Sequence, residues 1–125
     1  MTHDQVQKWL EDYISAWASN DADEIGELFT EGAVYSYRPW VNDKVTVRGR
    51  DAIVKSWMED PDDPATWEAS YRPFAVDGDR AVAVGSTRYQ ASGEEPERTY
   101  HNAFLLEFGE DGRCSSFHEF WVRER

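Results

Sequence analysis

The chain has 125 residues, includes six tryptophans, six tyrosines and six phenylalanines, and carries a formal net charge of −12. The charge disfavours nucleic acid and membrane surfaces as partners because their phosphates would be repelled, and no apolar run reaches the ~18 residues of a membrane span. The length and the single cysteine, Cys114, predict one cytoplasmic domain over residues 1–125, with neither a metal nor another cofactor. Aromatic side chains in this number predict a pocket for an apolar small-molecule ligand.

The first segment predicts an amphipathic helix. Its apolar side chains recur at spacings of three and four, which places them on one helix face: Val6, Trp9, Leu10, Tyr13, Ile14 and Trp17. Thr2 and Gln5 match a capping box, so this helix should begin near residue 3. Acidic residues over 21–24 then predict the first turn of a short second helix that ends near Thr30.

The period of the apolar pattern changes along the rest of the chain. A β-rich run at residues 33–37, closed by Arg38 and Pro39, precedes a polar loop, and residues 49–58 predict a third helix. From Trp67 onward the period is two, and hairpin-type turns separate four predicted strands near residues 67–76, 80–91, 97–108 and 113–123. Helices followed by an antiparallel meander indicate an α+β fold with the helices covering one face of the sheet.

Local stretches of the chain point to a family. They lie at residues 13–21, 28–35, 47–53, 108–113 and 117–121, the last being Phe-His-Glu-Phe-Trp. Together they resemble the nuclear transport factor 2-like superfamily and its SnoaL-like proteins. The resemblance implies a cone-shaped α+β barrel, with three N-terminal helices packed on a curved, mostly antiparallel sheet that walls a pocket and often forms a homodimer through its outer face. This superfamily contains isomerases, dehydratases, cyclases, hydrolases and non-enzymatic binders, so the fold alone does not indicate the activity.

Ketosteroid isomerase, within the same superfamily, provides the most useful comparison. Its oxyanion-hole tyrosine on the first helix is matched by Tyr13. Its general-base aspartate follows the first strand, where this chain has Tyr37 and Arg38, and its second carboxyl lies where this chain has Phe104 or a close neighbour. With both carboxyls missing, the resemblance disfavours steroid isomerisation by that mechanism but keeps a tyrosine donor in an apolar pocket.

Strand alternation, combined with the resemblance, assigns residues to the pocket face. That face should carry Val82, Val84, Ser86 and Arg88, then Asn102, Phe104 and Leu106, and finally Phe117, Glu119 and Trp121. The outward face should carry Tyr89, Tyr100, His101, Leu105, His118, Phe120 and Val122. A one-residue bulge would reverse any of these assignments.

Three residues are the catalytic candidates. Glu119, desolvated between aromatic neighbours, would serve as the acid or base, and Tyr13 would donate a hydrogen bond to the oxyanion. Arg88 would be the charge partner of Glu119 or would bind a substrate carboxylate. For Arg88 and Glu119 the alternatives are a structural ion pair or two rim charges in solvent, and for Tyr13 a plain core position. Asn102 either orients a ligand carbonyl or satisfies the backbone. The aromatic residues expected in the cavity wall or the core are Trp17, Tyr35, Tyr37, Trp40, Trp57 and Trp67.

These assignments support three hypotheses. The first is a cofactor-independent isomerase, cyclase or dehydratase that acts by proton transfer on an apolar, oxygenated metabolite. The second is a non-catalytic binder with the same pocket wall, and the third is a protein-interaction module that uses an outer aromatic patch. The resemblance and the residues of the outward face also predict a homodimer through the outer face of the sheet.

Overall fold

Helix α1 begins where the sequence predicts. In the computed structural model, which describes residues 1–37, 40 and 46–125, α1 spans His3–Ser19. The Thr2 hydroxyl accepts a hydrogen bond from the Gln5 backbone N–H, and the Gln5 side chain accepts one from the Thr2 backbone N–H, which completes the capping box. The helix ends at Asn20, whose left-handed backbone (φ 55°) turns the chain toward the next element.

Two shorter helices and a small strand pair follow. Helix α2 (Ala22–Glu27) is capped by the Asp21 carboxylate and is shorter than predicted, because the chain is already extended from the start of strand β1 (Phe29–Ser36). Strand β2 (Thr46–Arg48), which the sequence pattern did not predict, pairs antiparallel with β1, and helix α3 spans Arg50–Glu59. Arg38 and Pro39, the predicted end of the first strand, lie outside the described residues. No helix in the described ranges has both the length and the apolar character needed to cross a membrane.

The four predicted C-terminal strands are confirmed. They are β3 (Trp67–Asp77), which follows a 3-10 turn at Pro64–Thr66, β4 (Arg80–Tyr89), β5 (Arg98–Phe108) and β6 (Cys114–Arg123). Among the described residues the sheet order is β2-β1-β6-β5-β4-β3, and β1 with β6 is its one parallel pair. Three helices and a curved, mostly antiparallel sheet therefore confirm the α+β class, while closure into a cone-shaped barrel stays a prediction.

The core lies between α1 and the sheet face that carries Phe104 and Phe117, here called the inner face. Trp9 is buried there, with its ring edge-on to Phe29 and Phe108, and its indole N–H donates to the Leu28 carbonyl at 3.0 Å. Because this hydrogen bond satisfies the indole N–H, burial of the Trp9 ring stabilises the fold without the cost of an unpaired polar group.

The predicted orientation of β4 is wrong by one residue. Ala83 pairs directly opposite Phe104 on β5, so Ala83 lies on the inner face, as do the buried Ala81 and Thr87. Val82, Val84, Ser86 and Arg88 consequently lie on the outer face. Alternation combined with the resemblance suggested the opposite assignment, but the inner face takes small residues here because large rings from neighbouring strands fill the space above β4.

Gly85 shows how tight that packing is. A Cβ atom placed on Gly85 would lie 2.6 Å from Cδ1 of Tyr71 and 2.0 Å from the carbonyl oxygen of Ser70, both on the neighbouring strand β3. Any side chain at this position would force the strands apart or displace the Tyr71 ring. The glycine therefore allows Tyr71 to lie across β4.

Candidate functional site

A cavity of about 570 Å³ opens between the C-terminal half of α1, helix α3 and the inner face of the sheet. This volume lies in the range usual for sites that bind small molecules. Side chains from α1, α3 and all strands but β2 reach it, together with Tyr37 and the segment at residues 60–62.

The tyrosines and phenylalanines of the chain are segregated. All six tyrosines line the cavity: Tyr13, Tyr35, Tyr37, Tyr71, Tyr89 and Tyr100. None of the six phenylalanines, every one of which lies in the described ranges, is part of its lining. The wall therefore combines apolar ring faces with hydroxyl groups that can hydrogen-bond an oxygenated ligand.

Glu119 brings a carboxyl group into this phenolic wall. It lies on β6 directly opposite Phe104 of β5, and the Asn102 side-chain N–H donates to Glu119 Oε2 at 2.6 Å. Burial raises the pKa of Glu119 from its ordinary value of 4.5 to about 7, and the hydrogen bond from Asn102 opposes this shift. A carboxyl with this pKa is suited to accept a proton near neutral pH.

The hydroxyl groups nearest to Glu119 stay protonated at neutral pH. Burial raises the pKa of Tyr13 well above its ordinary value, and the neighbouring Tyr35 and Glu119 add to the effect. Burial also raises the pKa values of Tyr35, Tyr71 and Tyr89, with a further contribution from the Glu119 charge in each case. Glu119 therefore titrates near neutrality among neutral phenols that can donate hydrogen bonds.

The mouth of the cavity is formed by aromatic, acidic and basic side chains. Trp17 stacks on Trp67 at 3.7 Å between ring centroids and donates its indole N–H to Asp62 Oδ2 at 3.3 Å. The guanidinium of Arg98 lies 4.8 Å from the ring centroid of Tyr89, which is a cation–π contact. These contacts tie the segment at residues 60–62 to α1 and set the rim of the opening.

Most of the predicted site residues line this one cavity. They are Tyr13, Trp17, Tyr35, Tyr37, Trp57, Asn102, Glu119 and Trp121. Phe104 and Phe117 are buried beneath it, where their rings pack against Tyr13. Trp40 lies outside and stacks on Phe120 with 5.7 Å between centroids, while Val84 and Ser86 are on the outer face.

Arg88 requires a correction of its predicted position. Its guanidinium is exposed on the outer side and pairs with Glu97 Oε1 at 2.7 Å and Glu68 Oε1 at 3.5 Å. Arg88 does not lie in the cavity with Glu119, because the two faces of β4 are exchanged relative to the prediction and Arg88 is on the outer one. Arg88 does form an ion pair, as one alternative proposed, but its partners are Glu68 and Glu97 rather than Glu119. Exposed ion pairs of this kind contribute at most about 1 kcal/mol to the stability of the fold.

On the strands, sequence reasoning missed five lining residues: Tyr71, Thr87, Tyr89, Arg98 and Tyr100. Five more lie outside the strands: Asn20, Ser56, Asp60, Pro61 and Asp62. Tyr100 and Arg98 share the alternation of Asn102 on β5, so the strand period already contained the signal for them. Thr87 and Tyr89 were not predicted in the cavity because β4 was assigned the opposite orientation. The predicted outward placement of Tyr89 and Tyr100 is wrong. The other residues predicted to face outward do so: His101, Leu105, His118, Phe120 and Val122. Directly opposed residues share a sheet face, and the partners of these residues all alternate with the inner-face residues Phe104 and Phe117.

Other reactive groups lie away from the cavity. Cys114 is buried, which raises the pKa of its thiol to about 12, so the thiol stays protonated and unreactive. Among the residues that the structure describes, no three His, Cys, Asp or Glu side chains are placed to hold a metal ion.

Comparisons with known proteins agree with this architecture. Among solved structures, a Bacillus subtilis protein provisionally described as an isomerase superposes with a TM-score of 0.72 at 17% identity, over 98% of this chain and 90% of that one. A protein from Kribbella flavida DSM 17836, provisionally described as a ketosteroid isomerase, gives 0.69 at 20% identity over 98% and 82%. An LEH-like epoxide hydrolase from M. tuberculosis gives 0.67 at 11% identity over 96% and 84%.

Identities this low establish a shared fold and leave the activity open. Among curated proteins, no match to the sequence was found. A family model for the SnoaL-like domain matches residues 10–117, which is most of the chain. The protein therefore belongs to the SnoaL-like domain family.

Proposed function

We propose that the protein is a cofactor-independent enzyme that transfers a proton on an apolar, oxygenated small molecule, as an isomerase, cyclase or dehydratase. The observation that carries the proposal is the Glu119 carboxyl, half-buried in a wall of tyrosines, with a pKa raised by burial to about 7. General bases are most effective when their pKa lies near the working pH.

The mechanism assigns one role to each of two groups. The Glu119 carboxylate removes a proton from the carbon next to a substrate carbonyl, and the Tyr13 hydroxyl donates a hydrogen bond to the oxygen as negative charge develops there. The protonated Glu119 then returns the proton to a different carbon in an isomerisation, or to a departing hydroxyl in a dehydration. Tyr35, which is hydrogen-bonded to Tyr13, can donate to the Tyr13 hydroxyl and so strengthen the bond that Tyr13 makes to the oxygen.

The character of the wall supports this assignment. Neutral phenols can solvate a developing oxyanion without carrying a counter-charge, and a half-buried site strengthens each such hydrogen bond. Two of the similar structures are provisionally described as isomerases and a third as an epoxide hydrolase, and these names are compatible with proton transfer in such a pocket.

Exchange of carbon-bound hydrogen tests the proposal without knowledge of the natural substrate. The protein is incubated with 1-tetralone or cyclohexanone in D₂O, and loss of the α-proton signal is followed by ¹H NMR. We expect wild type to accelerate exchange and Glu119→Gln to lower the rate at least about 100-fold, the usual contribution of a general base. Glu31→Gln, an exposed carboxyl on β1, is the matched control and should behave as wild type.

Binding of the same ketones, followed by thermal shift, separates the competing functions. Ketone binding with equal exchange in wild type and Glu119→Gln would contradict the assignment of Glu119 as the base. Binding without any acceleration would favour a non-catalytic binder with the same cavity. Absence of binding by every small molecule tried would favour an interaction module.

We also propose that the protein is a cytoplasmic homodimer that pairs through the outer face of the sheet. Supporting this, Phe74 and Val122 are each 69% exposed, and Leu105 and Phe120 are exposed beside Val122 on β5 and β6. Exposed apolar side chains on one sheet face favour an interface, and a two-fold dimer can bury the same residues on both subunits.

A further inference from the structure

We infer that Thr87 is a positioning residue for Glu119: its hydroxyl holds the Asn102 amide in the one orientation that presents an N–H to the Glu119 carboxylate. The inference rests on the proposed role of Glu119 as a base and adds the residues that keep it ready for that role. None of these residues except Asn102 was expected from the sequence.

A chain of hydrogen bonds crosses four neighbouring strands of the sheet, from β3 to β6. The Tyr71 hydroxyl on β3 contacts the Thr87 hydroxyl on β4, and Thr87 Oγ1 lies 3.1 Å from Asn102 Oδ1 on β5. Asn102 Nδ2 lies 2.6 Å from Glu119 Oε2 on β6. Tyr71, Thr87 and Asn102 are 5%, 3% and 7% exposed, so solvent competes little for these groups.

With Asn102 Oδ1 facing Thr87, as in the structure, the chemistry of the groups gives the direction of every bond in this chain. Asn102 Oδ1 can only accept, so the single hydroxyl hydrogen of Thr87 is directed to it. Thr87 then has only acceptor capacity left for Tyr71, so the Tyr71 phenol donates to Thr87. Each donor in turn points toward Glu119, and the last one is an N–H that stabilises the carboxylate form.

Loss of the Thr87 hydroxyl removes one of the two hydrogen bonds that favour this amide orientation. The two ends of an asparagine amide have the same shape, and only the hydrogen-bond partners distinguish them. Without a donor at Oδ1, the amide can turn and direct its oxygen at Glu119. A carbonyl oxygen in that place repels the carboxylate and accepts a hydrogen bond from the carboxylic acid, so the protonated form is favoured.

Few other groups compete for control of this carboxyl. The Glu119 charge acts on Tyr13 from α1, Tyr35 from β1, Tyr71 from β3 and Tyr89 from β4, all with pKa values raised above the usual value for tyrosine. The other titratable groups in the cavity lining, besides Arg98, are Tyr37, Tyr100, Asp60 and Asp62. On β5 the neighbour is the uncharged Asn102, and Arg98 lies at the mouth. A titration near neutrality inside the cavity therefore belongs to Glu119.

The test measures the pKa of Glu119 in Thr87 variants. Protein labelled with ¹³C at the glutamate side-chain carboxyl is titrated by NMR, with the Glu119 signal assigned through Glu119→Gln. Thr87→Val keeps the shape and removes the hydroxyl, and we expect the Glu119 pKa to rise by about one unit, which lowers the carboxylate fraction at neutral pH about fivefold. Thr87→Ser, which keeps the hydroxyl, should restore the wild-type value.

Two further variants keep the test decisive. Thr99→Val, the same change on the outer side of β5, should leave the Glu119 pKa unchanged. Asn102→Leu removes the final donor and should raise the pKa at least as much as Thr87→Val, which covers the case that the latter does not fold. An unchanged Glu119 pKa in folded Thr87→Val, or in Asn102→Leu if Thr87→Val does not fold, would overturn the inference. Because the readout is a titration, it is independent of whether the protein transfers a proton on any ketone.

Discussion

Glu119 couples the proposed chemistry to the stability of the fold. Its pKa is 4.5 ordinarily and about 7 in the folded protein, so between these values the folded chain holds a proton that the unfolded chain has lost. The free energy of unfolding therefore decreases as the pH rises through this window, by roughly 3 kcal/mol for this one group. Above about pH 7 the folded protein carries a half-buried negative charge at a cost in stability.

Glu119→Gln should consequently stabilise the protein in alkaline solution. Glutamine has the same shape, its carbonyl oxygen can accept the Asn102 hydrogen bond, and it never ionises. Relative to wild type, we expect the variant to gain up to about 3 kcal/mol in free energy of unfolding between about pH 4 and pH 8, measured by urea denaturation. A constant difference between the two proteins over this range would show that the Glu119 pKa is not raised.

At the scale of single elements, the sequence was informative where local chemistry decides the outcome. The capping box of Thr2 and Gln5 predicted the start of α1 correctly. Gly78 and Gly112 predicted two of the strand ends, since tight turns need a residue that tolerates positive φ and both glycines adopt it. Strand β2 was missed because three residues are too few for a recognisable alternation, and its pairing with β1 is a long-range contact.

The orientation of β4 illustrates a different limit of sequence reasoning. Its residues alternate between alanine and valine and then reach Gly85, so both faces are apolar and the pattern alone does not distinguish them. The choice depends on what lies across the sheet, and here it is the Tyr71 ring above Gly85. Arg88 was misplaced, and Thr87 overlooked, for this one reason.

Gly85→Ala tests this account of β4. The added methyl would meet the Ser70 carbonyl and the Tyr71 ring, and we expect a loss of about 1–3 kcal/mol in free energy of unfolding, as in other overpacked sites. Gly32→Ala, on β1 with nothing within 4 Å of the added atom, is the matched control and should change stability by less than about 1 kcal/mol. Equal effects of the two substitutions in urea denaturation would contradict the proposed close approach of β3 and β4.

For the whole molecule, the aromatic content predicted a pocket but could not say which rings would line it. The segregation of tyrosines into the cavity, and of phenylalanines into the core and the outer face, arises from contacts between distant elements. Tyr13 from α1, Tyr35 from β1 and Tyr71 from β3 meet only in the folded chain. The resemblance to the superfamily indicated that Tyr13 lines the pocket, whereas its helical spacing indicated only that it faces the sheet.

The outer face makes a prediction about assembly. Sedimentation of wild type at about 50 µM should show a dimer, and Phe120→Glu combined with Leu105→Glu should give a folded monomer, since charges placed in an apolar interface are costly to bury. Met58→Glu, at an exposed apolar position on α3, should remain dimeric. A wild-type monomer at that concentration would remove the proposed dimer.

The pH dependence of ketone exchange tests the central claim, that Glu119 is a desolvated base in the cavity. With 1-tetralone below saturation, kcat/KM for wild type should rise as the pH increases and level off, with a midpoint near the Glu119 pKa of about 7. The rise should be absent in Glu119→Gln, whose residual rate should not follow this titration. A wild-type profile with its midpoint near the ordinary carboxyl value of 4.5, or one that Glu119→Gln leaves unchanged, would contradict the account.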